Sequence, residues 1–127
     1  MPDDVPAPVP RLLCDDAREL AARPAAPAGE LWKLAESGRQ LDANVVRLPP
    51  GETVDTHAEP DLDVLVFVVS GDGTVHGEDG PQPLSAGALM WLPHGSRRSL
   101  AAGADGLSYL TVHRRRPGMQ IGRRTPG

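Results

Sequence analysis

The sequence predicts an all-β protein, a small antiparallel barrel or sandwich built from short strands. Gly and Pro number 14 each in 127 residues, and this much turn-forming sequence breaks up helices. From Glu30 onward, short apolar runs alternate with turn signals at close spacing, which is typical of many short strands. The length predicts one domain.

The turn signals divide this region into about nine predicted strands. Firm turns are expected at Pro49–Gly51 and at Ser70–Gly73, where proline or glycine fits the required backbone angles. The strand Leu62–Val69 is the most apolar, so we expect it to be buried on both faces, or on one face with a dimer contact on the other. The predicted strands are Leu31–Ala35, Leu41–Leu48, 53–59, Leu62–Val69, Thr74–His76, Pro83–Leu84, Ala88–Leu92, Ser99–Ala102 and Leu107–His113.

The two ends of the chain differ from this barrel region, which we place at residues 30–116. Residues 1–29 are rich in Pro and Ala and predict a flexible segment, with a short helix over 15–23 that Asp15 or Asp16 caps. Residues 117–127 predict a loose basic tail.

Charge and composition exclude several function classes. The last acidic residue is Asp105, whereas residues 114–127 carry five arginines and no acid. An acidic body repels a phosphate backbone, so nucleic acid is not expected as the main partner. The basic end is either solvated or touches an anionic surface or the acidic body. Cys14 is the single cysteine, which excludes an internal disulfide.

No apolar run reaches the length of a membrane span, and the start lacks the regions of a signal peptide. The sequence therefore predicts a cytoplasmic protein with no membrane partner. Because a domain of this size is near the lower limit for a single core, a homodimer is also expected.

A first group of residues has an informative spacing. Gly51, His57, Glu59 and Gly71 fit the pattern G-x5-H-x-H-x(3,4)-E-x6-G, with Glu59 at the second His position. The Glu position of the pattern falls on Val64, or on Asp63 with the shorter spacing.

A second group lies a short distance further along the chain. Gly87, Pro93 and Gly95 fit G-x5-P-x-G-x2-H-x3-N, with Arg98 at the His position and Ala102 at the Asn position. Over about residues 30–116 the chain therefore resembles the cupins. The resemblance implies a double-stranded β-helix, the cupin or jelly-roll barrel, in which Gly71 and Gly87 close tight hairpins.

In metal-binding cupins the four positions hold a divalent ion, but only His57 keeps its residue type here. Arg98 has donors only and stays protonated, so it cannot ligate a metal. A remnant of His57, Glu59 and Asp63 could serve zinc, iron or manganese. Strand alternation opposes it, because Asp63 faces outward if Val64 faces inward. No cofactor is therefore the first expectation, and a divalent metal is the alternative.

His57 and Glu59 are two residues apart on a strand, so they are expected to share the inward face. In one interpretation, Glu59 and Arg98 neutralise each other where the metal would otherwise sit. In another, Arg98 receives an anionic or carbonyl-bearing small molecule, with His57 as acid, base or hydrogen-bond partner. Residues expected to line the ligand pocket with Arg98 are Trp91, Tyr109 and Met90.

Three functions remain in competition. The first is a binding module for a small polar or anionic organic ligand. The second is an enzyme in which His57 and Glu59 are catalytic: an isomerase, epimerase or cyclase without metal, or a dioxygenase or related lyase with metal. The third is a structural barrel whose dimer surface carries the function. Since one scaffold serves many chemistries, the fold does not choose among them.

Overall fold

A computed structural model describes residues 7–23 and 29–116 of the chain. Within those residues there are one short helix and seven strands, and every strand pairing is antiparallel. The elements are α1 (Ala17–Ala21), β1 (Glu30–Lys33), β2 (Leu41–Leu48), β3 (Thr53–Ala58), β4 (Val64–Gly77), β5 (Gly80–Ser85), β6 (Leu89–Leu92) and β7 (Arg97–Arg114). The all-β prediction is confirmed.

Two long strands, β4 and β7, organise the barrel. The sheet order is β1-β2-β7-β4-β5, with β3 added to β7 and β6 added to β4. The first half of β4 pairs with β6 and the second half with β5, while β7 pairs first with β3 and then with β2. The sheet therefore folds over at the middle of both long strands and forms two facing layers.

The turn predicted at Ser70–Gly73 is wrong, since β4 continues through it with two register shifts. Gly71 has a φ of +81°, and a Cβ there would lie 2.1 Å from the carbonyl oxygen of Gly106 on β7. The glycine thus allows a bulge where the strand passes from one layer to the other, rather than a hairpin. For the same reason the separate strands predicted on either side of Gly106 form one strand, β7.

The core lies between the layers and contains the inward side chains of β4 and β7. Val66 and Val68 are buried there with Leu107 and Tyr109. The outward neighbours Leu65 and Phe67 are 43% and 37% exposed. Burial of this strand on both faces is therefore wrong for the single chain, and a second copy covering the outer face remains a prediction.

The N-terminal segment packs on the outside of the barrel. Asp16 caps α1, because its side chain accepts a hydrogen bond from the backbone N–H of Arg18 at 2.9 Å. Leu20 of the helix is buried against Leu31 and Val45. The helix is shorter than the predicted 15–23. The predicted tail at 117–127 and the residues at 1–6 and 24–28 lie outside the described part of the chain.

Among the described residues, no helix is both long and apolar enough to cross a bilayer.

Candidate ligand-binding site

A cavity of about 280 Å³ lies between the two layers of the barrel. Its walls are the apolar side chains of Val54, Val64, Val66, Leu92 and Leu100. Its polar groups are His57, Glu59, Arg98, Tyr109, Thr111, His113 and Arg116. A concave pocket that combines apolar walls with convergent polar groups is a candidate small-molecule site.

Arg98 lies on β7 directly opposite His57 of β3 and is only 5% exposed. Its Nη1 donates to the carbonyl oxygen of Ser96 at 3.2 Å and to the Ser96 hydroxyl at 3.3 Å. Its Nε is buried without a hydrogen-bond partner. The preceding Arg97 is exposed, so the two arginines alternate between the inside and the outside of the barrel.

Burial lowers the pKa of Arg98, and the nearby Glu59 charge acts in the opposite direction. The guanidinium nevertheless stays protonated in a protein. A positive charge is therefore held in the barrel, and no described carboxylate hydrogen-bonds to it.

Glu59 follows the end of β3, and its partner is Arg116. The Arg116 Nη2 donates to Glu59 Oε1 at 2.5 Å, and the backbone N–H of Asp61 donates to Oε2 at 3.2 Å. These two bonds hold the pKa of the Glu59 carboxyl below its usual range, and the bond from Arg116 has the larger effect. The Arg98 charge lowers this pKa to a smaller extent. No hydrogen bond joins Glu59 to Arg98, because Arg116 occupies the carboxylate, and the two charges interact only through space.

Two imidazoles line the cavity, and in both of them Nδ1 lies next to a backbone carbonyl oxygen. His57 Nδ1 lies 3.0 Å from the carbonyl oxygen of Asp55, and His113 Nδ1 lies 2.8 Å from that of Arg114. Since a carbonyl can only accept, each Nδ1 is assigned a proton, and in the neutral form of the ring Nε2 carries the lone pair. Both rings can therefore accept a hydrogen bond from a ligand.

His113 and Arg116 were absent from the sequence-predicted site. The signal for His113 was present, because it follows Tyr109 and Thr111 at the two-residue period of one strand face. For Arg116 no signal existed, since it follows the last strand, where the backbone has no regular structure that would fix its direction.

Asp63 does not share the cavity with His57 and Glu59. Its carboxylate is exposed and accepts bonds from the backbone N–H and the Nδ1 of His94, at 2.8 and 2.7 Å. These bonds lower the pKa of the Asp63 carboxyl. The outward direction follows from alternation, since Val64 faces the core.

The remaining predicted pocket residues are divided between two places. Tyr109 lines the barrel cavity, and burial raises the pKa of its hydroxyl. Met90 and Trp91 lie on β6 and line a separate groove of about 600 Å³. Arg98 and Leu92 line both the cavity and the groove.

The donor set does not fit a resident metal ion. In the described part of the chain, no group of three or more His, Cys, Asp or Glu side chains is arranged to hold one. Asp63 faces out, and Arg98 places a positive charge beside His57. A cation in this cavity would be repelled by the guanidinium.

An antiparallel barrel of two facing layers is the architecture of a jelly roll. The family model for the cupin domain matches residues 44–113, more than half of the chain. The chain therefore belongs to the cupin domain family. No curated protein matches it significantly.

Many solved structures share this fold. KdgF from Halomonas sp. is 26% identical, with a TM-score of 0.58, over 69% of this chain and 80% of that one. A Bacillus halodurans protein is 17% identical, with a TM-score of 0.68, over 85% of this chain and 86% of that one. A sugar phosphate isomerase of the cupin superfamily from Silicibacter pomeroyi is 24% identical, with a TM-score of 0.55, over 62% of this chain and 53% of that one. The last two show the fold alone.

Proposed function

We propose that the protein is a cupin-domain binding module that holds a small organic anion, such as a carboxylate, in the barrel cavity. The observation that supports this most directly is Arg98, a buried guanidinium without a described carboxylate partner. An unpaired buried charge is costly in free energy. A ligand that supplies the missing negative charge would offset that cost.

The geometry of the guanidinium favours a carboxylate. Its Nη1 is engaged by Ser96, whereas Nε has no partner and Nη2 makes no hydrogen bond with a described residue. Nε and Nη2 point along one edge of the group, and this edge matches the two oxygens of a carboxylate.

The charges around the cavity also favour an anionic ligand. Two arginines, Arg98 and Arg116, face it together with one carboxylate, that of Glu59. The Nε2 atoms of His57 and His113 can accept bonds from hydroxyl groups of the ligand. A polar or hydroxylated organic acid therefore suits this cavity better than a cation does.

Isothermal titration with acetate and benzoate tests the proposal. Replacing the guanidinium by an apolar side chain of similar length, Arg98→Met, should weaken binding by about tenfold or more. Arg23→Met is the matched control, because it removes an exposed arginine that lines neither this cavity nor the neighbouring groove. The proposal fails if the native protein binds no organic anion, or if the two variants bind equally well.

An enzyme that moves a proton is the second candidate, supported by His57, whose Nδ1 donates to the Asp55 carbonyl and whose Nε2 carries the lone pair in the neutral ring. Glu59 is poorly suited as the base, because its ion pair with Arg116 lowers its pKa. His57 would then carry the proton in an isomerase, epimerase or cyclase.

Deuterium uptake from D2O at the carbon next to the carbonyl of keto acids and keto sugars measures such a transfer by NMR. His57→Ala should abolish any uptake that the native protein catalyses. Exchange at the full rate in this variant would show that His57 is neither its acid nor its base.

A further inference from the structure

A groove of about 600 Å³ runs along the side of the barrel next to the cavity. One wall is β6, which pairs only with β4 among the described strands, so its other edge borders the groove. The opposite walls are the hairpin between β4 and β5 and the segment Pro93–Arg98. The groove is therefore formed where two sheet edges face each other.

Large apolar side chains lie along this groove. Leu89 is 66% exposed and Trp91 is 62% exposed, and the half-buried Met90 lies between them. Val75 and Leu92 extend the apolar lining into the core. A concave surface that leaves such side chains open to water is typical of a binding site.

The groove reaches the same guanidinium as the barrel cavity. Arg98 lines both, and so does Leu92. Ser96, to which Arg98 Nη1 donates, lines the groove and not the cavity. A ligand in the groove can therefore bring a negative group to a buried charge whose Nε has no partner.

Three charged residues besides Arg98 line the groove: two acids at the hairpin and the exposed Arg97. Glu78 and Asp79 line its outer end at the hairpin tip, where both are exposed. A second anionic group on the ligand would be repelled there, whereas an apolar or neutral end would not.

We propose that the groove holds the apolar body of a monocarboxylic acid whose carboxylate binds Arg98. This inference rests on the proposed function, because it takes Arg98 as the anion-binding group. It adds to the proposed acid an apolar body that lies in the groove, and a second wall of the site at Met90 and Leu89.

A series of straight-chain carboxylates from acetate to hexanoate tests this by isothermal titration. Each methylene that enters the groove should tighten binding by about fourfold. Glutarate, which ends in a second carboxylate, should bind more weakly than pentanoate. The indole N–H signal of Trp91 in the NMR spectrum reports whether the alkyl chain enters the groove. This signal, assigned by its loss in Trp91→Phe, should shift with hexanoate and not with acetate.

Met90→Ala and Leu89→Ala should each weaken hexanoate binding by about threefold to tenfold and leave acetate binding unchanged. Leu65→Ala is the matched control, because Leu65 is an exposed apolar residue of β4 that does not line the groove. It should change neither affinity.

The outcomes separate the two proposals. If acetate binds through Arg98 but affinity does not grow with chain length, the groove is not part of the site and the proposed function stands. If no carboxylate binds, the proposed function fails as well. The groove could instead be occupied by a second copy of the chain, and analytical ultracentrifugation at the same protein concentration tests this. A dimer that dissociates in Leu89→Asp, together with carboxylate affinity that does not depend on chain length, would assign the groove to the second copy and overturn this inference.

Discussion

Arg98 and Glu59 face the same cavity, yet the Glu59 carboxylate is hydrogen-bonded to Arg116 and not to Arg98. The one acid of the cavity is thereby engaged near the barrel mouth, and the buried guanidinium is left with Ser96 as its described acceptor. This division of charges is the physical basis of the proposed anion site, because it leaves a donor edge of the guanidinium for a ligand.

Arg98→Met should raise the free energy of unfolding in the absence of ligand by about 1–3 kcal/mol, because it removes a buried charge that lacks a carboxylate partner. Urea denaturation measures the change. Arg97→Met, at the exposed neighbouring position, should stay within about 0.5 kcal/mol of the native protein. Clear destabilisation by Arg98→Met would mean that the guanidinium stabilises the fold and is not kept for binding a ligand.

The Glu59–Arg116 ion pair should stabilise the protein at neutral pH and lose this effect at acidic pH, where the Glu59 carboxyl is protonated. Because Arg116 lowers the pKa of Glu59, the unfolded state binds a proton more readily than the folded one. Its contribution is fully present above about pH 4.3, the ordinary value for Glu, and is lost as the pH falls through the lowered pKa.

Urea denaturation between pH 7 and pH 3 tests this sign. The stability difference between the native protein and Glu59→Gln should shrink as the pH falls, and Arg116→Gln should behave in the same way. Glu52→Gln, at an exposed carboxylate, serves as the control. A difference that is constant over the whole range would contradict the pairing.

Gly71→Ala should destabilise the fold strongly, by more than about 3 kcal/mol. The added Cβ would lie 2.1 Å from the carbonyl oxygen of Gly106, on a backbone with positive φ. Gly38→Ala is the matched control, because its φ of +77° is similar and nothing lies within 4 Å of the new Cβ. That change should cost about 1–2 kcal/mol. Equal losses would show that the close approach of β4 to β7 is not tight.

Metal retention should depend on the residue at position 98. Protein purified without chelators should hold zinc, iron or manganese well below one ion per chain, since Arg98 repels a cation and Asp63 faces outward. Arg98→His should raise zinc affinity, because it removes the charge and adds an imidazole opposite His57. Elemental analysis after dialysis measures both. Near-stoichiometric metal in the native protein would contradict the account.

The turn residues and the alternation of apolar residues predicted much of the fold. The bounds of β2 were predicted as Leu41–Leu48, and Asp16 was among the two predicted caps of the helix. The bulge at Gly71 was misread as a turn, since a glycine with positive φ serves either purpose and the choice depends on the distant Gly106.

The candidate site was less predictable than the fold, because it depends on contacts between residues that are far apart in the sequence. The resemblance placed Arg98 inside, and alternation placed Asp63 outside, because a strand fixes the direction of every second side chain. The partner of Glu59 was not predictable, since Arg116 is 57 residues away and lies beyond the last strand. The separation of Met90 and Trp91 from Tyr109 likewise depends on how the edge of β6 faces the hairpin between β4 and β5.

A crystal structure of the protein grown with hexanoate at neutral pH tests the central claim most directly. We expect electron density for a carboxylate within hydrogen-bonding distance of Arg98 Nε and Nη2, with the alkyl chain beside Met90. Density for a metal ion between His57 and Glu59, or a carboxylate bound away from Arg98, would contradict it.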